Sequence, residues 1–464
     1  MFNINNFLHL DALKPAVEWK GFPKYNFVGG HIDGDSIPVQ SIKDSLNKII
    51  LKEGKTLAKY GLESGPQGFL PLRKFISNQL KISSKINCSE REILVLSGSL
   101  QALDLVNQTF LRKGDTVIIE EENYGGTISR LKRLGVNMVG IPLEKDGMNL
   151  KILEQELNDL LKKEIIPRYI YTIPTIQNPT GTVMSVAKRK QLIKLSKKYQ
   201  IPIFEDDCYA DLLFEKERPP AIKSFDKEGY VTYCGSFSKS IAPALRVGYL
   251  IANWEVLSRI LPYKTDAGSG SLEQMALAEF CKENFNSHVK TLKIKLQKKS
   301  EAICNALDKY FGSSAEYKKP DGGIFVWVDM HKKVDTSRLY ELALKDGVAI
   351  NPGDESHWRP YARRREPNTQ LNDQYPFQPS RCNSQHRENF ALSHSIDSSV
   401  IVIQTRMIDP LNVFNGTNTP WSNPRLTVLI PVNPADSKSF FVFSAAATAP
   451  GGRYSTLYVS GGKP

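Results

Sequence analysis

Cysteine is scarce and unpaired, with six in 464 residues and no Cys-x-x-Cys spacing. That leaves no frame for a structural zinc site, so no metal is expected, and it points to a reducing compartment. Long apolar runs are missing too; none approaches the roughly 20 residues of a membrane span. The opening Met1-Phe-Asn-Ile-Asn-Asn6 lacks a basic segment followed by an apolar core. No signal peptide is read, and a cytoplasmic location is expected. Patches of basic residues interleaved with aromatics are also lacking. The formal charge is +12, but clusters such as Lys188-Arg-Lys190 and Lys197-Lys198 read as solvated helix surface. Neither a nucleic-acid nor a membrane partner is expected, and a basic funnel for anionic substrates suits the charge better.

What is present is an α/β pattern in a chain long enough for one enzyme with a major and a minor domain. Short β-branched runs such as Thr116-Val-Ile-Ile119 and Ile201-Pro-Ile-Phe204 alternate with amphipathic stretches such as 187–199. The spacing of Val289, Leu292, Leu296, Ile303 and Leu307 predicts a long helix over 284–311.

The most informative residue is Lys239, in Tyr233-Cys-Gly-Ser-Phe-Ser-Lys-Ser240, with Arg246 seven residues on. A protonated lysine is a poor nucleophile, so a catalytic one needs a closed pocket and fixed neighbours. Ser236, Ser238 and Arg246 suit a phosphate dianion, leaving the lysine free for an aldehyde. Upstream, Ile93-Leu-Val-Leu-Ser-Gly-Ser-Leu-Gln-Ala-Leu-Asp104 runs from a strand through glycine into a helix, whose first amides hold an anion. Two further strands end in Asn178-Pro-Thr-Gly181 and in Glu205-Asp-Asp-Cys-Tyr209.

These segments, in this order, resemble the class I/II, fold-type-I pyridoxal-phosphate aminotransferases from about Asn26 to Gly353. The nearest look is the branch of 2-aminoadipate and kynurenine aminotransferases and MocR-type regulators. The resemblance implies an α/β fold, with a mostly parallel sheet flanked by helices in a large domain and a smaller α+β domain. On that pattern residues 1–45 form an N-terminal arm and part of the small domain, 46–285 the large cofactor domain, and 286–354 a linking helix and the small domain. Pyridoxal 5'-phosphate is the implied cofactor and Lys239 the catalytic residue. Ser99, Leu100 and Gln101 line the phosphate with Ser236, Ser238 and Arg246; only the backbone of Leu100 can serve, since many relatives carry glutamine there. Tyr124 stacks on the ring, Asn178 and Tyr209 meet its phenolic oxygen, and Asp206 meets its ring nitrogen. Glu205 and Asp207 alternate away from Asp206 and read as solvated or structural. Gly30, in Phe27-Val-Gly-Gly-His-Ile-Asp33, closes over the substrate together with Asn178. Tyr60 reaches the phosphate of a neighbouring subunit, which implies a homodimer. The implied reaction moves an α-amino group to a 2-oxo acid by a ping-pong route. A pyridoxal-phosphate lyase or decarboxylase, or a catalytically silent sensor, are the rival readings. A MocR-type regulator would carry a winged helix-turn-helix ahead of this part, and an enzyme-like start within about thirty residues leaves no room for one.

The resemblance fails after Asn351-Pro-Gly-Asp354. Through residue 354 the chain has 39 Lys and 11 Arg; from 355 on it has 2 Lys and 9 Arg. No helix of useful length is expected beyond residue 400. The arginine that forks onto a substrate α-carboxylate is missing from its expected frame. Its echo, Phe390-Ala-Leu-Ser-His-Ser-Ile-Asp397, carries alanine there, leaving Arg381 or Arg387 as substitutes only in a rebuilt loop. The 355–464 tail is either a divergent extension or a frame-shifted or fused segment, and the abrupt Lys-to-Arg switch favours the second.

Overall fold

Strands buried at most positions need both faces covered, which is the condition of a mostly parallel sheet. In the computed structural model of the chain, which describes residues 3–8, 15, 16, 18–330, 334–356, 400–404, 425–433 and 436–446, seven such strands form one sheet. They are β1 (Ile93–Leu96), β2 (Thr116–Glu120), β3 (Asn137–Ile141), β4 (Ile170–Thr172), β5 (Ile203–Asp206), β6 (Val231–Ser236) and β7 (Gly248–Ile251). The order across the sheet is β1-β7-β6-β5-β4-β2-β3, and only β7 runs antiparallel to its neighbours. The strand expected at 201–204 begins two residues later, after Pro202, which lacks the N–H a central strand requires.

Alternation along the strands divides two cores. Leu94, Leu96, Val117, Tyr171 and Phe204 pack on one face. On the other, Ile93, Val95, Tyr233 and Ile251 pack in one cluster and Ile118, Ile170 and Ile203 in another. The flanking helices are α1 (Val39–Glu53), α2 (Leu70–Ser83), α3 (Ser99–Phe110), α4 (Gly125–Arg133), α5 (Leu150–Lys162), α6 (Val186–Tyr199) and α7 (Trp254–Ile260). The long helix α8 runs over Ser271–Tyr310, starting well before the expected 284. Its first half is buried on several sides, through Met275, Leu277, Phe280 and Phe285, so it carries no single apolar stripe for a periodicity reading to find. The boundaries drawn at 45 and 285 fall inside α1 and α8.

A smaller sheet orders β8 (Glu316–Tyr317), β9 (Phe325–Asp329), β11 (Val400–Gln404) and β10 (Asn351–Pro352), beside helix α9 (Thr336–Lys345). The tail thus supplies the strand between β9 and β10, antiparallel to both. A hairpin of β12 (Arg425–Asn433) and β13 (Asp436–Ala446) follows. Arg381, Arg387 and the 390–397 segment lie outside the described residues. Among the described residues no helix is long and apolar enough to cross a membrane.

Candidate active site

In open α/β sheets the loops at the carboxyl ends of parallel strands converge on one crevice. Here those ends carry Gly98 (β1), Asn178 (β4), Asp206 (β5) and Lys239 (β6), and Arg246 enters just before β7.

Gly98 is the N-cap of α3, with φ at 86° and no side chain to satisfy the first helical amides. Those of Ser99 and Leu100 are left for an anion. Arg246 closes this cradle. Its backbone sits in the left-handed region, at φ 51°, and its Nη2 donates to the Ser97 carbonyl at 2.9 Å. A β-carbon on Gly98 would lie 2.5 Å from that Nη2, so only glycine fits. Ser236 and Ser238 are buried beside it, the Ser238 amide donating to Ser236 Oγ at 3.1 Å. Gln101 is committed elsewhere. Its Oε1 accepts from the Ser97 amide, its Nε2 donates to Asp266, and its own amide donates to Gly98. Its role is to shape the cradle.

Lys239 Nζ donates to the Gly30 carbonyl at 2.6 Å and lies 6.0 Å from the Tyr209 ring centre. Gly30, at φ 60°, approaches so closely that an added Cβ would stand 2.7 Å from Nζ. Asn178 Nδ2 donates to the Tyr209 hydroxyl at 3.0 Å, uniting the two residues assigned to one phenolic oxygen. Tyr124 caps α4, and burial raises its hydroxyl pKa, with the Asp206 and Arg246 charges within reach.

Asp206 accepts from the Tyr171 hydroxyl at 2.8 Å through Oδ2, while its Oδ1 is buried without a hydrogen-bond partner among the described residues. Burial pushes this carboxyl above its ordinary range, opposed by the nearby Cys208 thiol and the Tyr171 hydroxyl. A buried acceptor left open in this way calls for a donor from a bound group. The Cys208 and Cys234 sulfurs lie within 4.8 Å of the Asp206 carboxylate. Both thiols are pushed above their ordinary range, Cys208 through its contact with Cys234 and through burial, and Cys234, against that same contact, through burial.

Neither neighbour of Asp206 is solvated. Glu205 is fully buried and accepts from the Ile222 and Lys223 amides at 2.8 Å each. Asp207 accepts from Arg218 Nη2 at 3.0 Å. Both are structural.

Three positioning residues escape a reading of the sequence. Tyr171 orients Asp206. Glu120 accepts from Thr172 Oγ1, the Ile173 amide and Gln177 Nε2, and Arg189 donates to the Met184 and Pro174 carbonyls. Together Glu120 and Arg189 clamp the loop that presents Asn178. Register offered a signal for Tyr171 alone: it pairs with Phe204, which shares a strand face with Asp206. Tyr60 is 90% exposed and touches none of these groups.

The chain matches the family described as aminotransferase class I and II over residues 24–364. It is similar to the uncharacterized HTH-type transcriptional regulator YisV of Bacillus subtilis, 34% identical over 70% of this chain and 65% of the regulator. The chain therefore spans less than two thirds of that relative's length. A 2-aminoadipate transaminase of Thermus thermophilus is 32% identical over 71% of this chain and 80% of its own. In three dimensions the chain is similar to a kynurenine aminotransferase of Pyrococcus horikoshii solved in complex with PMP. The TM-score is 0.74 at 25% identity, over 88% of this chain and 94% of that one.

Proposed function

Because the chain belongs to the class I and II aminotransferases, we propose that it uses pyridoxal 5'-phosphate to move an α-amino group from an amino acid to a 2-oxo acid of the 2-oxoglutarate type, by a ping-pong route. The observation that carries the cofactor assignment is the buried, unpartnered Oδ1 of Asp206, placed at the sheet edge that also carries Lys239 and the Gly98–Arg246 cradle. When bound, the cofactor supplies an aldehyde and an electron-accepting ring. Asp206 takes the ring N–H and keeps it protonated. Asn178 and Tyr209, already joined, direct their polar groups to the phenolic oxygen. Ser99, Leu100, Ser236, Ser238 and Arg246 hold the phosphate, and Tyr124 covers the ring. Lys239 Nζ would take and return the proton at the substrate Cα. Gly30 gives the lysine room and closes that side against water.

The reading includes a cytoplasmic homodimer. The five cysteines among the described residues are free thiols, which suits a reducing compartment. Tyr60, Leu51 and Val39 leave exposed apolar surface on α1 and the turn after it, at 90%, 88% and 67%. A second copy would cover it and bring Tyr60 to the neighbouring phosphate.

The test is borohydride reduction of the purified protein with pyridoxal phosphate, followed by peptide mass spectrometry. The adduct is expected on Lys239 and absent in Lys239→Ala. A reducible adduct retained in that variant would overturn the assignment. A single-turnover screen of amino acids then reads the half-reaction, and no spectral conversion with any of them would overturn the aminotransferase reading while leaving the cofactor site standing.

A further inference from the structure

Beside the turn that follows Tyr209, and lined by none of the residues assigned to the cofactor, lies a cavity of about 220 Å³ between the end of α2 and the middle of α8. It is smaller than the roughly 300–1,000 Å³ that houses a drug-sized ligand, so it suits a small metabolite. Phe285, Val289 and Leu213 give it an apolar wall.

Its charges are unevenly matched. Arg218, with its side chain 10% exposed, donates Nη2 to Asp207 and Nη1 to Asp211, each at 3.0 Å, and its buried Nε meets no acceptor. Lys216 is paired with Asp321 at 2.8 Å. Lys290 and Lys293, three residues apart on α8 and so on one face, line the same cavity. Their ammonium groups have no ion-pair or hydrogen-bond partner among the described residues. Burial holds Lys293 below the ordinary lysine range, against the pull of Asp211. Arg218 thus faces two carboxylates, one of which, Asp211, also pulls on Lys293, while Lys290 has none. The local excess is one positive charge beside an apolar wall.

We propose that this cavity binds a small organic monocarboxylate with an apolar body, its carboxylate held by Lys290 and Lys293 and its body laid against Phe285, Val289 and Leu213. A single surplus charge matches a monoanion better than a phosphate dianion, and two ammonium groups one helical turn apart suit the two carboxylate oxygens. The inference is independent of the cofactor site.

The test titrates full-length, cofactor-loaded protein with 4-fluorobenzoate, followed by fluorine NMR line broadening. Saturable binding is expected, weakened about tenfold or more in Lys290→Ala/Lys293→Ala. It should persist in Lys239→Ala, and its weakening by the lysine variants, which lie outside the residues assigned to the cofactor, separates this cavity from the active site. The uncharged isostere 4-fluorobenzyl alcohol should bind at least about tenfold more weakly. Lys290→Glu, on the exposed side of α8, is a second variant should the double one fail to fold, and it should abolish binding. No saturable binding, equal binding by the lysine variants, loss of binding in Lys239→Ala alone, or equal competition by inorganic phosphate would overturn the proposal.

Discussion

Asp206 and Asp207 follow one another at the end of β5 and face different surroundings. Asp206 turns toward Tyr171 and leaves an open oxygen, whereas Asp207 turns toward Arg218 and Tyr233. Asp206→Ala should therefore keep the cofactor while slowing Cα proton removal on the order of 100-fold, because it removes charge stabilisation built for the transition state. Asp207→Ala should hardly touch that step and should instead lower stability by roughly 1–3 kcal/mol, since Arg218 and Tyr233 lose an acceptor while Asp211 keeps the guanidinium paired. Stopped-flow spectra and urea unfolding separate the two, and the reverse pattern would move the assignment by one residue. Glu120 makes a pH prediction. Burial pushes its carboxyl up to about 7, against hydrogen bonds from Thr172, Ile173 and Gln177. The folded state holds that proton more tightly than an unfolded chain titrating near 4.5. Its contribution to stability is then full below pH 4.5 and lost as pH rises to about 7, up to about 3 kcal/mol. Glu120→Gln can keep the same partners if Thr172 turns its hydroxyl. It should flatten that part of the stability curve, leaving the share of Glu205, which burial also raises to about 7. An unchanged urea midpoint between pH 4.5 and 7 would place the titration elsewhere.

Helix ends show where local chemistry and fold disagree. After α5 the chain turns through Glu164 at φ 58°, where the Ile165 amide donates to the Leu160 carbonyl and the Glu164 amide to the Leu161 carbonyl. That is the Schellman pattern, which favours glycine at the left-handed position. Glu164 is exposed, so its side chain offers no packing in return. Glu164→Gly should raise unfolding free energy by about 1 kcal/mol, read from urea midpoints. A loss of stability would show that the glutamate side chain contributes more than its backbone costs. The same kind of geometry at Arg246 has another meaning, since there the left-handed backbone carries the guanidinium over Gly98.

At the scale of the molecule the tail tests itself. The family match ends at residue 364, close to the break read after 354, yet β11 inserts Val400–Gln404 between β9 and β10. A chain ended after Gln404 should keep the cofactor and its thermal midpoint. A chain ended after residue 399 should unfold at a lower temperature, because β10 loses its pairing strand. Equal midpoints for the two would show that β11 adds nothing to the small sheet. What the amino-acid order determined alone is whatever rests on local rules. Apolar runs became strands, and the ends of those strands carry Lys239, Asp206, Asn178 and Arg246, whose roles came from the family resemblance rather than from local rules. The tertiary structure alone decided what depends on distant partners. Examples are Glu120 and Arg189 clamping the Asn178 loop, Tyr171 under Asp206, the burial of Glu205 and Asp207, the early start of α8, and the two unpaired lysines at one cavity. None of these has a local signature, since burial and pairing are properties of residues that only the folded chain brings together.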